Sequence, residues 1–420
     1  MKVGRGNNQL PFLMRKKDWV RISAIGFALS VSGCVQKMPA DAGVKIYESI
    51  SAKRIPEGVQ PEPNLATLQH YLPIELSGRF RQDSIGSTPS SNPLEIETNL
   101  QKSKFLDGEL KSSGLISYLF YEDGKLIYDE LSPYKRLGQF VDNSTPLKSN
   151  SIAKSWTSYL LAHAMCNGIL NRRNHVINDW KLVTDTLYDN QNLYDLLNMR
   201  AGDQNYVTEQ DGMLKTERWV HDAALYSFMQ IELKGSQPSV KKYNYNTLVA
   251  TLTLNYLVHK LNYEPQELLN QVFTKKARTE HTVTFEVQAG TPLEYGSAIA
   301  VGWASRYDYL RIAIAMLEDW KQNNCVGQYL RETVNTSQSV RGFYPTDFRL
   351  AMATRYGRFF FTHLKGMRDR NVLYMDGYGG QALMIDFDNS RIVSVNAAHD
   401  NYNWDELVYG AIKHGDIWKE

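Results

Sequence analysis

The sequence predicts an α+β domain whose antiparallel sheet is built from strands near both ends of the chain. Two apolar-rich segments, 115–121 and 125–131, flank an Asp-Gly turn and predict a β-hairpin near the start. Two further strand segments, 382–386 and 391–397, lie near the end. Between them, apolar residues recur at helical spacing in the segments 150–166, 178–206, 248–261 and 306–323. This order predicts a sheet flanked by helices, with a helical subdomain inserted between its two halves and a terminal helix over 404–418.

Composition excludes several classes of protein. The 420 residues contain 47 Lys and Arg against 45 Asp and Glu, so the chain lacks the basic excess of a dedicated nucleic-acid binder. The 25 Tyr and 8 Trp argue against a wholly disordered chain. Three cysteines are too few for a disulfide scaffold.

The N-terminus carries the pattern of an export signal. Basic residues, ending with Arg21, precede a short apolar run over 22–31 that ends at Val31-Ser32-Gly33-Cys34. The Val-Ser-Gly-Cys ending resembles the lipobox of bacterial lipoproteins, which implies lipidation of Cys34 and a membrane anchor. The alternatives are an ordinary signal peptide, or a buried strand with an incidental cysteine.

The resemblance also implies a place in the bacterial cell envelope. Val35 after the cysteine favours the outer membrane, and Met14 heads a more typical signal than Met1 does. We expect a signal over 1–34, a tether and irregular lead-in over 35–112, and the folded domain over 113–420. The proline-rich tract 55–63 and the loop 84–93 fall in the lead-in.

The segment 150–166 is the centre of the expected site. Ser151 and Lys154 are three positions apart, so on a helix the hydroxyl and the amine lie on one face. Ser151 stands where a cap or first-turn residue is expected, near the positive end of the helix dipole. Such a site can hold a nucleophile beside a base, and the alternative is a capping serine with a solvated lysine. The buried stripe of this helix is expected to contain Trp156, Leu160, Leu161 and Ala164.

Three motifs together resemble the serine β-lactamase and penicillin-binding-protein superfamily. They are Ser151-Ile152-Ala153-Lys154, then Tyr243-Asn244-Tyr245-Asn246, then Gly377-Tyr378-Gly379-Gly380-Gln381. Their order and placement are similar to those of the class C-like branch, which includes esterases and 6-aminohexanoate-dimer hydrolases. The resemblance covers residues 115–410.

The resemblance implies a role for each motif. Ser151 corresponds to the acylated nucleophile, and Lys154 to the group that accepts its proton. Tyr245 corresponds to the general base and acid that passes the proton to the leaving group. Tyr243 is the second choice, because the apolar residue expected seven positions after the tyrosine is Leu252 for Tyr245 but Ala250 for Tyr243.

The third motif is expected to border the substrate. The backbone N–H groups of Ser151 and Gln381 are the expected oxyanion donors. Gly379 and Gly380 are expected to let substrate lie close to the strand. No metal and no organic cofactor is implied.

Two departures from the family pattern bear on the substrate. Tyr378 replaces the Lys of β-lactamases and the His of many esterases, so a cation that would pair with a substrate carboxylate is missing. Asn246 comes one position early after Tyr245, which displaces the amide that holds a β-lactam side chain. Both departures favour a neutral ester or amide over a β-lactam.

Other residues offer weaker alternatives. His163 is expected to be a structural helix residue, and His399-Asp400 either lies near a cleft or belongs to a loop without a role. The sequence contains neither His-Glu-x-x-His nor Gly-x-Ser-x-Gly, which argues against a zinc hydrolase and an α/β-hydrolase. Cys166 and Cys325 either pair or remain free thiols. The aromatic run 359–361 is a core strand or a wall of the cleft.

The sequence therefore predicts a membrane-anchored periplasmic serine hydrolase that acts on a small-molecule ester or amide through an acyl-enzyme. The alternatives are a D-alanyl peptidase or β-lactamase, and a catalytically silent cell-envelope lipoprotein that keeps the fold. The Tyr378 substitution is the best support for the silent alternative.

Overall fold

The computed structural model describes residues 71–72, 83–172, 174–207, 224–344, 349–398 and 405–417. The strands, numbered along the chain, are β1 Asp83–Gly86, β2 Glu97–Thr98, β3 Leu115–Glu122, β4 Lys125–Leu131, β5 Leu147–Lys148, β6 Val176–Ile177, β7 Gln191–Asn192, β8 Thr284–Val287, β9 Ala298–Ala304, β10 Gln338–Ser339, β11 Ala353–Gly357, β12 Phe360–Leu364, β13 Val372–Gly377, β14 Gln381–Asp386 and β15 Arg391–Ala397.

The α-helices alternate with these strands along the chain. They are α1 Lys104–Ser112, α2 Ile152–Cys166, α3 Leu193–Leu197, α4 Leu225–Ser227, α5 Thr247–Lys260, α6 Gln266–Leu269, α7 Arg306–Gln322, α8 Cys325–Asn335 and α9 Asp405–His414. Two of them continue as π-helix, over Phe228–Glu232 and Asn270–Lys276. Short 3-10 turns cover Leu137–Gln139, Lys181–Val183, Leu293–Tyr295 and Arg349–Met352.

The large sheet joins the two ends of the described chain, as the sequence predicts. Its strand order is β10-β11-β12-β13-β14-β15-β3-β4-β2. The last strand, β15, pairs antiparallel with β3, for example Ser394 with Leu119. Helices α7 and α9 both pack against β14 and β15. The predicted α+β architecture is therefore confirmed, and among the strands that the structure describes only β2 and β4 pair in parallel.

A second sheet lies within the intervening region, with the order β1-β8-β9-β5. Helix α2 packs between the two sheets, because it contacts β9 from the small sheet and β13 and β14 from the large one. Its residues from Ile152 to Met165 are all buried, so it is covered on every side. The expected stripe of Trp156, Leu160, Leu161 and Ala164 is buried, but it is only part of the contact surface.

The first part of the folded region differs from the expected irregular lead-in. Residues 83–86 pair with β8, so the predicted loop over 84–93 begins within a strand. Helix α1 follows before residue 113 and buries Leu106 and Leu110. The folded region described by the structure therefore begins well before residue 113.

The predicted helix over 178–206 is also wrong in most of its length. Only Lys181–Val183 and Leu193–Leu197 are helical there. Asp185, Asn190 and Met199 have positive φ values, which are incompatible with a continuous right-handed helix. The loops that result bring Asp203 towards the second motif.

Cys166 and Cys325 form a disulfide, with their Cα atoms 5.9 Å apart. The bond joins the last residue of α2 to the first residue of α8. Of the two alternatives for Cys166 and Cys325, a disulfide or two free thiols, the structure therefore contains the disulfide.

Some predictions concern residues outside the described part of the chain. Cys34, the export signal, the tract 55–63 and His399-Asp400 all belong to this group. Within the described residues, every helix is too short or too polar to cross a membrane.

Candidate active site

The start of α2 is held by the small sheet. Residues Leu147 and Lys148 pair with the end of β9, and Ser149 continues this pairing. The Ser149 N–H donates to the Gly302 carbonyl at 2.8 Å, and its Oγ accepts from the Gly302 N–H at 2.9 Å. These paired bonds fix the backbone immediately before the predicted nucleophile.

Ser151 occupies the N-cap position of α2 without using its hydroxyl as a cap. Asn150, the residue before it, has a φ of 46°, a left-handed conformation that asparagine tolerates better than most residues. The Lys154 Nζ atom lies 2.7 Å from Ser151 Oγ. The hydroxyl is therefore directed at the amine, the arrangement that the three-residue spacing predicts.

Lys154 is buried, with 2% of its surface exposed. Burial penalises the ammonium form and lowers the pKa of Lys154 from 10.5 to about 7, while the negative charge of Asp376 opposes part of that change. Thr247 Oγ1 lies 3.4 Å from Nζ and is a weak second partner. Near neutral pH the Lys154 amine is therefore uncharged, and able to accept a proton, in a large share of the protein molecules.

Tyr245 lies beside the lysine. The Lys154 Nζ atom is 5.1 Å from the centre of the Tyr245 ring. The ring is supported by Phe361, stacked at 6.1 Å between centroids, and by Tyr356 in an edge contact at 5.9 Å. Because these two partners come from β12 and β11, the large sheet sets the position of the phenol. The structure thus brings Ser151, Lys154 and Tyr245 together.

The third motif forms the turn between β13 and β14, where Gly377 faces Gln381 across the ladder. The Asn150 side-chain amide donates to the Tyr378 carbonyl at 2.7 Å, next to the nucleophile. A Cβ on Gly377 would lie 2.4 Å from the Ser149 carbonyl oxygen, so only glycine permits this approach. The turn and the start of α2 are therefore in direct contact.

Tyr378 and Gln381 have different environments. The Tyr378 side chain is 51% exposed. The Gln381 side chain is buried, donates to the Ala397 carbonyl at 2.5 Å, and accepts from the Asn396 amide at 3.3 Å. Its side chain is thus used within the sheet, and only its backbone is a candidate for contact with substrate.

The side chains of Tyr243 and Asn246 bond to other parts of the fold. The Tyr243 hydroxyl is 3.0 Å from that of Tyr344, and burial raises the pKa of Tyr243 well above its ordinary value. The Asn246 side chain caps α5 through the Val249 N–H and donates to Asp203 at 3.1 Å. Asn246 is fully buried, and these contacts use its side-chain amide within the fold.

Several residues near the site were missed by the sequence analysis. Asn150, Thr247 and Asp376 contact or influence the reacting groups. Thr247 stands two positions after Tyr245, where the family pattern has Asn, so a signal for it was present. Asp376 lies at the end of β13, and its partner Tyr374 donates to it at 2.8 Å. Nothing in the local sequence indicates that this carboxylate acts on Lys154.

The structure also describes His163 and the arrangement of side chains that could bind a metal. His163 is buried on α2, and burial lowers its pKa to about 4. The described residues contain no group of three or more His, Cys, Asp or Glu side chains arranged to hold a metal ion.

Comparison with known proteins relates the chain to solved structures. No protein-family model matches the sequence, and no curated protein matches it. A putative 6-aminohexanoate-dimer hydrolase from Bacillus anthracis superposes with a TM-score of 0.58 at 14% identity, over 79% of this chain and 89% of its own. A penicillin-binding protein from Bacillus halodurans superposes with a TM-score of 0.50 at 14% identity, over 71% of this chain and 96% of its own.

At this level of identity the similarity concerns the fold alone. Both solved proteins match over most of their length, and both carry names that belong to the superfamily indicated by the three motifs. The chain has the β-lactamase and transpeptidase type of fold.

Proposed function

We propose that this protein is a serine hydrolase that acts on a neutral ester or amide through an acyl-enzyme on Ser151. The observation that carries the proposal is the contact between the Lys154 amine and the Ser151 hydroxyl at 2.7 Å, together with the burial of the lysine. A buried amine whose pKa is about 7 can take the hydroxyl proton near neutral pH.

The proposed reaction has two stages. Ser151 Oγ attacks the carbonyl carbon as its proton moves to Lys154 Nζ. The tetrahedral intermediate then collapses, the bond to the leaving alcohol or amine breaks, and a proton reaches that group by way of Tyr245. Water then attacks the acyl carbonyl, the acid is released, and Ser151 regains its proton.

Backbone donors near the turn are proposed to stabilise the oxyanion. The Ser151 N–H lies at the start of α2, where backbone N–H groups have no partner within the helix. The second proposed donor is the Gln381 N–H, and its strand neighbour Gly377 approaches Ser149 closely. Fixed donors of this kind lower the activation barrier because they need no reorganisation during the reaction.

The substrate is proposed to be a small neutral molecule. Tyr378 stands where β-lactamases have a cation, and its exposed phenol offers a hydrogen bond rather than a charge. Rapid turnover of a chromogenic cephalosporin would contradict this part of the proposal.

A location in the bacterial cell envelope is proposed from two observations. The ending Val31-Ser32-Gly33-Cys34 resembles a lipobox, which would anchor the mature chain by a lipid on Cys34. The disulfide between Cys166 and Cys325 supports an oxidising compartment such as the periplasm. Val35 favours the outer membrane.

The test is covalent labelling of the purified full-length chain with a fluorophosphonate probe, followed by intact mass and peptide mapping. We expect one adduct on Ser151 and none in a Ser151→Ala variant. A Ser155→Ala variant is the matched control, because Ser155 lies on the same helix and its hydroxyl donates to the Phe359 carbonyl. This control should still be labelled on Ser151.

Two results would contradict the proposal. An adduct on another residue would mean that the nucleophile lies elsewhere. Absence of any adduct on a chain with a cooperative thermal transition would favour a silent member of the fold.

A further inference from the structure

Tyr71 lies against the glycine turn of the candidate active site, far from it in sequence. A Cβ built on Gly379 would lie 2.2 Å from the Cε1, Cζ and hydroxyl oxygen atoms of the Tyr71 ring. Tyr71 is 1% exposed, so the ring is enclosed rather than resting on the surface. Gly379 itself has a φ of +84°, which favours glycine independently of this contact.

The contact is close to the proposed nucleophile along a short chain of neighbours. Gly379 follows Tyr378, the Tyr378 carbonyl accepts from the Asn150 amide, and Asn150 precedes Ser151. Gly379 has no side chain, and the volume that this leaves beside the strand is where we expect a substrate to approach. In this structure the Tyr71 ring fills it.

We infer that Tyr71 is a specificity-determining residue, which forms a wall of the substrate cleft beside Gly379 and limits the size of the acyl group accepted by Ser151. The inference rests on the proposed function. A ring and a bulky substituent cannot occupy the same volume, whereas a small acyl group needs no room beyond the turn. The site should therefore select short or slender acyl groups.

The first experiment compares two fluorophosphonate probes on the full-length chain, one with a methyl and one with a branched or aryl substituent. The measured quantity is the ratio of their second-order labelling rates at Ser151. Tyr71→Ala should raise the bulky-to-small ratio about ten-fold or more, the scale on which a pocket distinguishes substrates by size. Tyr71→Phe keeps the ring and should keep the wild-type ratio.

Leu72→Ala is the matched control, because Leu72 is the next residue and is equally buried. It should leave the ratio unchanged. An unchanged bulky-to-small ratio in Tyr71→Ala would overturn the inference. An equal rise in the labelling rates of both probes would also overturn it, because Tyr71 would then block the whole site regardless of the size of the probe. Thermal transitions of all variants establish that each is folded.

The second experiment needs no catalysis. Gly379→Ala is introduced into the wild type and into the Tyr71→Ala background, and the melting temperatures are compared in a double-mutant cycle. The added methyl group clashes with the Tyr71 ring only in the wild type, so the drop in melting temperature should be several degrees larger there. Equal drops in both backgrounds would overturn the placement of Tyr71.

The two experiments separate the two ideas. If neither probe labels Ser151 in the wild type, the proposed function fails. The cycle still reports whether the ring lies against the turn. If labelling succeeds and the cycle shows no coupling, the inference about Tyr71 fails and the proposed function stands.

Discussion

Replacement of Lys154 by methionine should abolish labelling and yet stabilise the protein at neutral pH. Lys154 is buried, and its pKa falls from 10.5 in its ordinary state to about 7 in the fold. Between these values the unfolded chain holds a proton that the folded chain releases. The stability of the wild type therefore rises with pH over this interval, by up to about 1.4 kcal/mol per pH unit.

The size of the effect follows from the two pKa values. Burial of this amine costs the wild type about 4 kcal/mol at pH 7 and about 1 kcal/mol at pH 10. Methionine fills a similar volume without the charge, but it loses the hydrogen bond to Ser151 Oγ, which is worth about 1 kcal/mol. Lys154→Met should therefore be more stable than the wild type by about 3 kcal/mol at pH 7 and nearly equal to it at pH 10.

The assay is urea unfolding of both proteins at pH 7, 8.5 and 10. Lys111→Met is the matched control, because Lys111 is exposed on α1 and should show no such dependence on pH. A variant that is less stable than the wild type at pH 7 would refute the reasoning, as would a stability difference that stays constant as pH rises. Labelling of Ser151 in the wild type should increase with pH and level off above its midpoint near 7.

Three further changes test the surroundings of the site. Asp376→Asn removes the charge that favours the ammonium form of Lys154, so the pKa of Lys154 should fall. The pH at which labelling is half-maximal should therefore decrease, and an increase would contradict the role of Asp376. Reduction of the Cys166–Cys325 disulfide should lower the free energy of unfolding by up to about 5 kcal/mol, measured by denaturant titration with and without reductant, and an unchanged midpoint would argue against the bond. Asn246→Ala removes a helix cap and a partner of Asp203 and should lower the free energy of unfolding by about 2 kcal/mol. A loss of labelling without a loss of stability would instead indicate that Asn246 contacts the substrate.

The candidate trio of Ser151, Lys154 and Tyr245 could be predicted from the spacing of two residues on one helix and from a tyrosine motif that resembles the family pattern. Ser151 and Lys154 meet because three residues make nearly one turn of α2. The choice of Tyr245 over Tyr243 came from the expected apolar residue at Leu252, and the structure places Tyr245 beside the lysine. The first inference depends on the periodicity of one long apolar helix, and the second on the resemblance of the motif that precedes α5.

The parts that were missed depend on distant partners. Strand β1 has only four residues and exists because β8 supplies its hydrogen bonds from about two hundred residues away. Tyr71 and Asp376 reach the site through tertiary packing, which leaves no periodic trace in the sequence. The error over 178–206 has another cause. The apolar run there suggested a helix, while residues such as Asn190, which tolerates a positive φ, ended it.

The pairing of β15 with β3 determines when the candidate active site can be completed during folding. Ser151 lies in the first half of the chain, but the sheet that positions Tyr245 and the glycine turn is closed by residues 391–397. A ribosome must therefore synthesise nearly the whole polypeptide before this sheet can close, and a large sequence separation between paired strands also slows folding. Until then Ser151 and Lys154 can share one helical turn, but the sheet behind Tyr245 and the glycine turn is not closed.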